Sequence, residues 1–512
     1  VDRRKLIVFA VMVVGMFMAV LDIQIVAASI PQMQAGLAAS PDEISWVQTA
    51  YLIAAVIMIP ATGYLSRALS TRVVYCISVG GFTLASLGCA LSWNLPTLTA
   101  MRALQGFIGG ATMPTVFAVA FTAFPRGRQG PISAAIGLIV TLAPTIGPTL
   151  GGWISDNLSW HWLFLINVPP GIIVVAVVWL YGHFDEPDLS LLRRIDARAF
   201  IFMAAGLGLL QYVLEEGPQN DWFDDRLISI FSIVAAVSLV AFTWRSLTSK
   251  NPLVDLKAYG DRNFTLGSIA STTMGVVLYG LIFILPLYLA RVRGLNALQI
   301  GETLAITGVA MFVTAPISGY TSRTMDPRIV ASFGFVLAGL STYSLSKITP
   351  DWGFWQLFWP QVERGAGMML AMAPLNVISL GTLPPLQVKN AAALYNLTRN
   401  LGGAIGLAFI NTFLSDRTDY HARILFDQLN PARATVSQQL SDMTSAFAAS
   451  GAADPAATAV RALGAMAHRQ AAVLAYADVL HLIFWISMAT AGVLFFVKPP
   501  ASARSRQGAG GE

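Results

Sequence analysis

Apolar residues gather along this chain into runs of about twenty, separated by short stretches holding prolines, glycines and charges. A backbone in hydrocarbon must satisfy its own polar groups, so each run predicts a membrane-crossing helix. The runs lie near 6–30, 46–66, 73–93, 97–121, 132–154, 162–181, 197–214, 226–246, 264–289, 300–322, 329–347, 353–378, 391–414 and 477–497, fourteen in all. The first follows Arg3, Arg4 and Lys5 and is about twenty-five residues long, against ~7–15 for a signal-peptide core. It reads as a retained first helix, with an initiator residue trimmed before Val1.

Composition sharpens the class. Of the 512 residues, 55% are hydrophobic and only 12% charged, against roughly 25% charged in ordinary soluble domains. That excludes soluble globular, disordered and disulfide-scaffold proteins and leaves an all-α, polytopic membrane protein. Cys76 and Cys89 share one apolar run and read as small hydrophobes. Placement of the basic residues carries more than the net charge of +5. With the N-terminus inside and loops alternating, twenty of the 32 Lys and Arg fall inside, nine outside and three within runs (Arg102, Arg364, Arg399). The rule that inside loops are positive then places both termini in the cytoplasm, which requires an even number of crossings. No basic arm suggests a nucleic-acid partner.

The chain repeats itself. PATGYLSRALSTR (60–72) aligns without gaps on PISGYTSRTMDPR (316–328), matching Pro60, Gly63, Tyr64, Ser66, Arg67 and Arg72 to Pro316, Gly319, Tyr320, Ser322, Arg323 and Arg328. A second echo, at an offset of 259, matches Gly106 to Gly365, Pro125 to Pro384 and Ile146-Gly147 to Ile405-Gly406. Parallel repeats of this kind build transporters; the alternative is convergent loop chemistry. The expected organisation is an N-terminal six-helix bundle over 1–181, a linker with two extra helices over 182–262, and a second six-helix bundle over 263–498. The bundles should be related by a pseudo-twofold axis. A long outside loop would span 415–476 and a cytoplasmic tail 499–512.

These motifs carry a family resemblance. GYLSRALSTR and GYTSRTMDPR resemble the loop motif of the major facilitator superfamily and its second-half copy, LTAMRALQGFIGG its fourth-helix arginine motif, and APTIGPTLGG the fifth-helix motif of its exporters. FMAVLDIQIV, WHWLFLINVPPG and LYNLTRNLGGAIG look like the EmrB-type, fourteen-helix drug/proton antiporters. The resemblance spans about 6–414 and implies efflux driven by the proton-motive force, without a cofactor, from the bacterial inner membrane. It also implies work with an EmrA-like periplasmic adaptor and a TolC-like outer-membrane channel. Ser66 and Ser322 stand where the loop motif usually has an acid, so a gating salt bridge from that position is not expected.

An ionisable residue in mid-membrane costs ~2.5–3.5 kcal/mol on insertion scales and needs a partner, water or a function. Asp22 lies ~24 Å into the first run and Glu363 ~15 Å into its own, at 1.5 Å per residue. Both are candidate proton-coupling carboxylates exposed to a central cavity; structural neutralisation, of Glu363 by Arg364, is the alternative. In the superfamily the first and fourth helices line one cavity, so Arg102 is a candidate partner for Asp22. Arg399 is a further candidate in proton coupling, and snorkelling is the alternative for it as for Arg102. In 143–152, Gly147, Gly151 and Gly152 invite close helix approach, while Pro144 and Pro148 each remove a backbone donor, as in a gating seal. Gly63, Arg67, Arg72, Gly319, Arg323 and Arg328 form the loop gates. Gln24, Gln48, Tyr51, Met368, Met372 and Asn376 are candidate cargo contacts, because methionine and aromatic surfaces adapt to varied apolar ligands.

The 455–476 stretch of the outside segment has helical spacing, and this segment is the candidate adaptor-docking element. Intramembrane acids favour neutral or cationic lipophilic cargo. Five scattered histidines and no paired-cysteine or phosphate-loop motif argue against an enzyme. A proton-coupled importer of small solutes or peptides is the alternative transporter.

Overall fold

A computed structural model of the chain describes residues 3–498 apart from 250 and 431, and omits the side chains of 41, 42, 126, 141, 297, 298 and 385. Lys250, the side chain of Arg126 and the tail 499–512 with Arg504 and Arg506 therefore lie outside the described residues. The chain is all-helical, with no strand among the described residues. In order the helices are α1 (Arg3–Ala28), α2 (Ile30–Leu37), α3 (Pro41–Leu69), α4 (Thr71–Ala90), α5 (Leu95–Gly109), α6 (Thr112–Thr122), α7 (Arg126–Asn157), α8 (Trp162–Leu165) and α9 (Val168–Tyr181). There follow α10 (Ala197–Glu216), α11 (Arg226–Thr248), α12 (Arg262–Arg291), α13 (Ala297–Thr324), α14 (Pro327–Leu345), α15 (Phe354–Leu380), α16 (Pro385–Gln428), α17 (Ala434–Ala449) and α18 (Pro455–Val493).

Polar caps set many of the boundaries. Asp225, Asp261, Asp326 and Asp454 each accept a backbone N–H at the start of the following helix, where four donors otherwise go unmet. Twelve helical stretches among the described residues are long and apolar enough to cross a membrane, with α5 and α6 forming one of them. The expected runs 353–378 and 391–414 are also helical, as α15 and part of α16, but do not belong to that set. Their polar residues explain why. Gln361, Arg364 and Asn376 on α15 and Asn390, Asn396 and Arg399 on α16 are all buried against other helices, so these two helices do not need an apolar surface all round. Apolarity therefore supports twelve spans rather than the fourteen expected.

The pattern of helix neighbours has the twofold character that the sequence repeat predicts. In the first half α1 packs on α7 and α9, α3 on α5, and α4 on α5 and α9. In the second, α12 packs on α16 and α18, α13 on α15, and α14 on α15 and α18. The halves meet along two matching seams, α3 against α16 and α7 against α13. The inserted pair α10 and α11 pack on each other, and α10 leans on both α3 and α16.

Within the segment 415–476 the helical spacing of 455–476 is met by α18, and the stretch before it is largely helical too. α16 continues to Gln428, α17 packs against α18, and α18 already begins at Pro455. Arg417 Nε donates to Asp478 Oδ2 at 2.6 Å, and His421 Nε2 lies 2.8 Å from the same oxygen, tying α16 to α18.

Candidate functional site

The first half encloses an ionic network. Asp22 on α1 and Arg102 on α5 are both fully buried, with Arg102 Nη1 2.6 Å from Asp22 Oδ2. Neither residue reaches water alone, so each is the condition for the other's burial. Asn167 Nδ2 donates to Asp22 Oδ1 at 2.7 Å and Gln105 Nε2 to the same oxygen at 3.3 Å. Arg102 spends its remaining donors on Gln105 Oε1 (2.7 Å), the Val47 carbonyl (3.1 Å) and Gln48 Oε1 (3.4 Å). Its guanidinium carbon stands 4.2 Å from the centre of the Tyr51 ring. Arg102 does not snorkel; it is held inward.

Behind Asp22, the glycines of α7 let that helix close on α1. A Cβ at Gly147 would stand 2.4 Å from Gln24 Cβ, and one at Gly151 2.6 Å from the Ile25 carbonyl oxygen. Gly152 is also buried. α7 remains one helix through Pro144 and Pro148.

The face on which α1 begins, called here the N face, is closed by two matching contacts. A Cβ on Gly63 would lie 2.7 Å from Asn390 Cα, and one on Gly319 3.0 Å from Pro131 Cα. Gly63 and Gly319 are 256 residues apart, and Pro131 and Asn390 are 259 apart, the two repeat offsets. Glycine is required at both because backbone meets backbone. Ser66 carries no charge to this contact, and Asp185 supplies one instead. Its carboxylate accepts from the Thr71 amide (2.9 Å) and hydroxyl (2.9 Å) and pairs with Lys389 Nζ of the other half, which also donates to the Ser66 carbonyl at 3.3 Å. Of the remaining loop residues, Arg72 meets His183 Nε2 at 2.8 Å, Arg67 sits against the Tyr64 ring with its Nε buried and unpartnered, and Arg323 is exposed. Arg328 is doubly bonded to Asp326 and donates to the Val497 carbonyl.

Between the halves lies a cavity of about 150 Å³. Its walls come from α1 (Ile23, Gln24), α3 (Tyr51, Ala55), α6 (Met113), α10 (Gln211, Glu215), α12 (Tyr279) and α16 (Asn400, Leu407). Of the six expected cargo contacts, Gln24 and Tyr51 line it. Gln48 belongs instead to the Arg102 network, and Met368, Met372 and Asn376 are packed within α15's core contacts. Asp22 is not on the wall; Tyr51 touches both cavity and ion pair.

Glu363 is likewise absent from this wall. Its Oε2 and the Nε of Arg364 are each buried without a hydrogen-bond partner. Arg399 is buried at the α16–α6 seam, donating to Asn396 Oδ1 at 2.6 Å, with its guanidinium carbon 5.1 Å from the Phe117 ring centre. Snorkelling therefore describes neither arginine.

Several residues of this architecture escaped the sequence. Gln105 had a signal, one turn after Arg102, and Asn167 stands inside WHWLFLINVPPG. Asp185, Gln211 and Glu215 lay in the segment read only as linker and extra helices.

A family model described as Major Facilitator Superfamily matches residues 12–407. The chain belongs to this superfamily. Within it, the chain is 39% identical over 490 residues to the colistin resistance protein EmrB of Acinetobacter baumannii, covering 96% of both chains. It is 30% identical over 493 residues to the multidrug export protein EmrB of Escherichia coli K12, covering 95% of this chain and 94% of the relative. The fatty acid resistance protein FarB of Neisseria gonorrhoeae is 31% identical over 424 residues, 82% of this chain and 83% of that protein. Among solved structures, the proton:xylose symporter XylE superposes with a TM-score of 0.61 at 12% identity, covering 97% of each chain. The human organic anion transporter MFSD10 gives 0.56 at 13%, covering 95% of this chain and all of that one. At such identities the two structures speak for the fold alone.

Proposed function

We propose that this protein exports small lipophilic compounds, neutral or cationic, across the bacterial inner membrane, exchanging them for protons by alternating access of its two bundles. The observation that carries the reading is the fully buried Asp22–Arg102 pair, one aromatic ring away from the cavity between the halves. A proton arriving on Asp22 removes the charge that holds Arg102. The guanidinium, still fixed by Val47 and Gln48 on α3, then pulls differently on Tyr51 and the cavity wall. Protonation and cargo thus act on one surface, which is the coupling an antiporter needs. Similarity to EmrB-type export proteins supports the outward direction, as do the glycine contacts of α7 on α1.

In this reading the N face is the cytoplasmic face, both termini are cytoplasmic, and the chain crosses fourteen times, with α15 and α16 as the two spans whose polar residues turn inward. The closed N face with its Asp185–Lys389 pair is the cytoplasmic gate of a state whose cavity serves the opposite side. At about 150 Å³ the cavity is smaller than the ~300–1,000 Å³ of drug-sized pockets, so cargo requires the α3–α16 seam to widen. Glu363 is a second proton or cation group, and Arg399 responds to events at the seam. The helical 415–476 region projects to the periplasm as the surface for an adaptor, which in turn meets an outer-membrane channel. The test is a dye-accumulation assay in inside-out vesicles. An inward-acidic gradient should drive uptake of a lipophilic dye and an uncoupler should abolish it. Gradient-driven movement in the opposite sense would instead make the protein an importer.

A further inference from the structure

The cavity has one acid on its wall, and it comes from the inserted helix pair rather than from either repeated bundle. Glu215 of α10 lines the cavity, and no lysine or arginine does among the described residues. One turn earlier on the same helix, Gln211 is 5% exposed and donates Nε2 to Glu215 Oε1 at 2.9 Å, which orients the carboxylate. α10 is itself fixed over the seam. It packs on α3 through Gly208, where a Cβ would stand 3.2 Å from Ile57 Cδ1, and the following turn is tied to α16 by Trp222 Nε1 donating to Thr412 Oγ1 at 2.8 Å. The rest of the wall is largely apolar and aromatic, with Tyr51, Tyr279 and Met113. Two positive charges lie just outside the lining: Arg399, in contact with Met113 Sδ and the Phe117 ring, and Arg102, over the Tyr51 ring but paired with Asp22.

A single anchored carboxylate in a cavity that also holds aromatic rings suits one class of ligand, an organic cation whose charge is carried on a lipophilic body. We infer that the inserted helix α10 supplies the cation-selecting residue of the cavity, Glu215, so that the extra helix pair sets cargo charge. The inference rests on the export reading and narrows its cargo. Neutral compounds use the same walls without engaging Glu215. A bland role, in which Glu215 merely wets the end of α10, predicts no difference between charged and uncharged cargo.

The test measures equilibrium binding of tetraphenylphosphonium and of uncharged triphenylphosphine oxide to the purified full-length protein. Glu215→Gln should weaken phosphonium binding about tenfold to a hundredfold and leave the phosphine oxide within about twofold, while Glu215→Asp recovers much of the loss. Retained binding of the neutral probe also shows that the variant is folded. Equal losses for both probes, or no loss for either, would overturn the assignment. If the unaltered protein bound the neutral probe and exported it while ignoring the phosphonium, the cation inference would fail and the export reading would stand. If it bound neither, both would fall.

Discussion

Loss of the Asp185 carboxylate should loosen the closed N face by an amount the structure bounds. Asp185 makes three contacts, of which two, to the Thr71 amide and hydroxyl, stay within one half whichever way the halves move. Only the pair with Lys389 crosses the seam and must break on opening. Charge-assisted bonds are worth about 1.5–3 kcal/mol when enclosed. These side chains keep 15% and 20% of their exposure, so screening trims the value to roughly 1–2 kcal/mol. That corresponds to about a 5- to 30-fold rise in the open population for Asp185→Asn. Ser66 reports the change. It is 1% exposed beneath the latch, and Ser66→Cys introduces a near-isosteric thiol in a background without Cys76 and Cys89. Alkylation of that thiol by a water-soluble maleimide supplied to the N face should accelerate 5- to 30-fold when Asp185 is neutralised. An unchanged rate would refute the latch and leave the glycine contacts and the Lys389 bond to the Ser66 carbonyl to hold this face.

Other perturbations should separate packing from chemistry. Arg102→Ala leaves a buried carboxylate without its counter-ion, a defect of about 3–5 kcal/mol that thermal melting in detergent should register; Arg102→Lys should also fail, because one ammonium cannot reach Asp22, Gln105 and the Val47 carbonyl together. Gly147→Leu drives a side chain into Gln24 and should abolish transport at a stability cost of roughly 1–3 kcal/mol, with protein still detectable in the membrane; normal efflux would exclude a seal there. In the loop between α13 and α14, burial pushes the Asp326 carboxyl up, but bonds from the Arg328 side chain and amide outweigh it and hold the group below its ordinary 3.8. Its contribution is therefore present above that value and lost as pH falls through the lower folded one. Asp326→Asn should make the melting temperature less sensitive to acid in that window, measured between about pH 5 and 3.

Much of this architecture was legible because hydrocarbon imposes a length on each helix, and because Gly63 and Gly319 sit where backbones of opposite halves touch. The Asp22–Arg102 pair was legible for a related reason: two charges deep in apolar runs require each other. Legibility failed where polarity had an internal rather than a solvent cause. The polar positions of α15 and α16 lower their apolarity although they face other helices, and the polar 415–454 stretch, which showed no helical spacing of its own, continues α16 and forms α17 packed on α18. Asp185 and Thr71 are 114 residues apart, and nothing local signals that a linker acid replaces the charge absent from Ser66. Glu215 escaped because its helix lies outside the repeat, where the two halves offered no second copy to compare.

Proton coupling through Asp22 is the centre of the account, and Asp22→Asn in proteoliposomes addresses it directly. Asparagine keeps the shape and one acceptor for Arg102 but cannot carry the proton. The variant should lose accumulation of dye against its gradient when a pH difference is imposed, while still exchanging labelled for unlabelled dye across the membrane. Uphill, pH-driven accumulation at the unaltered rate would contradict the account.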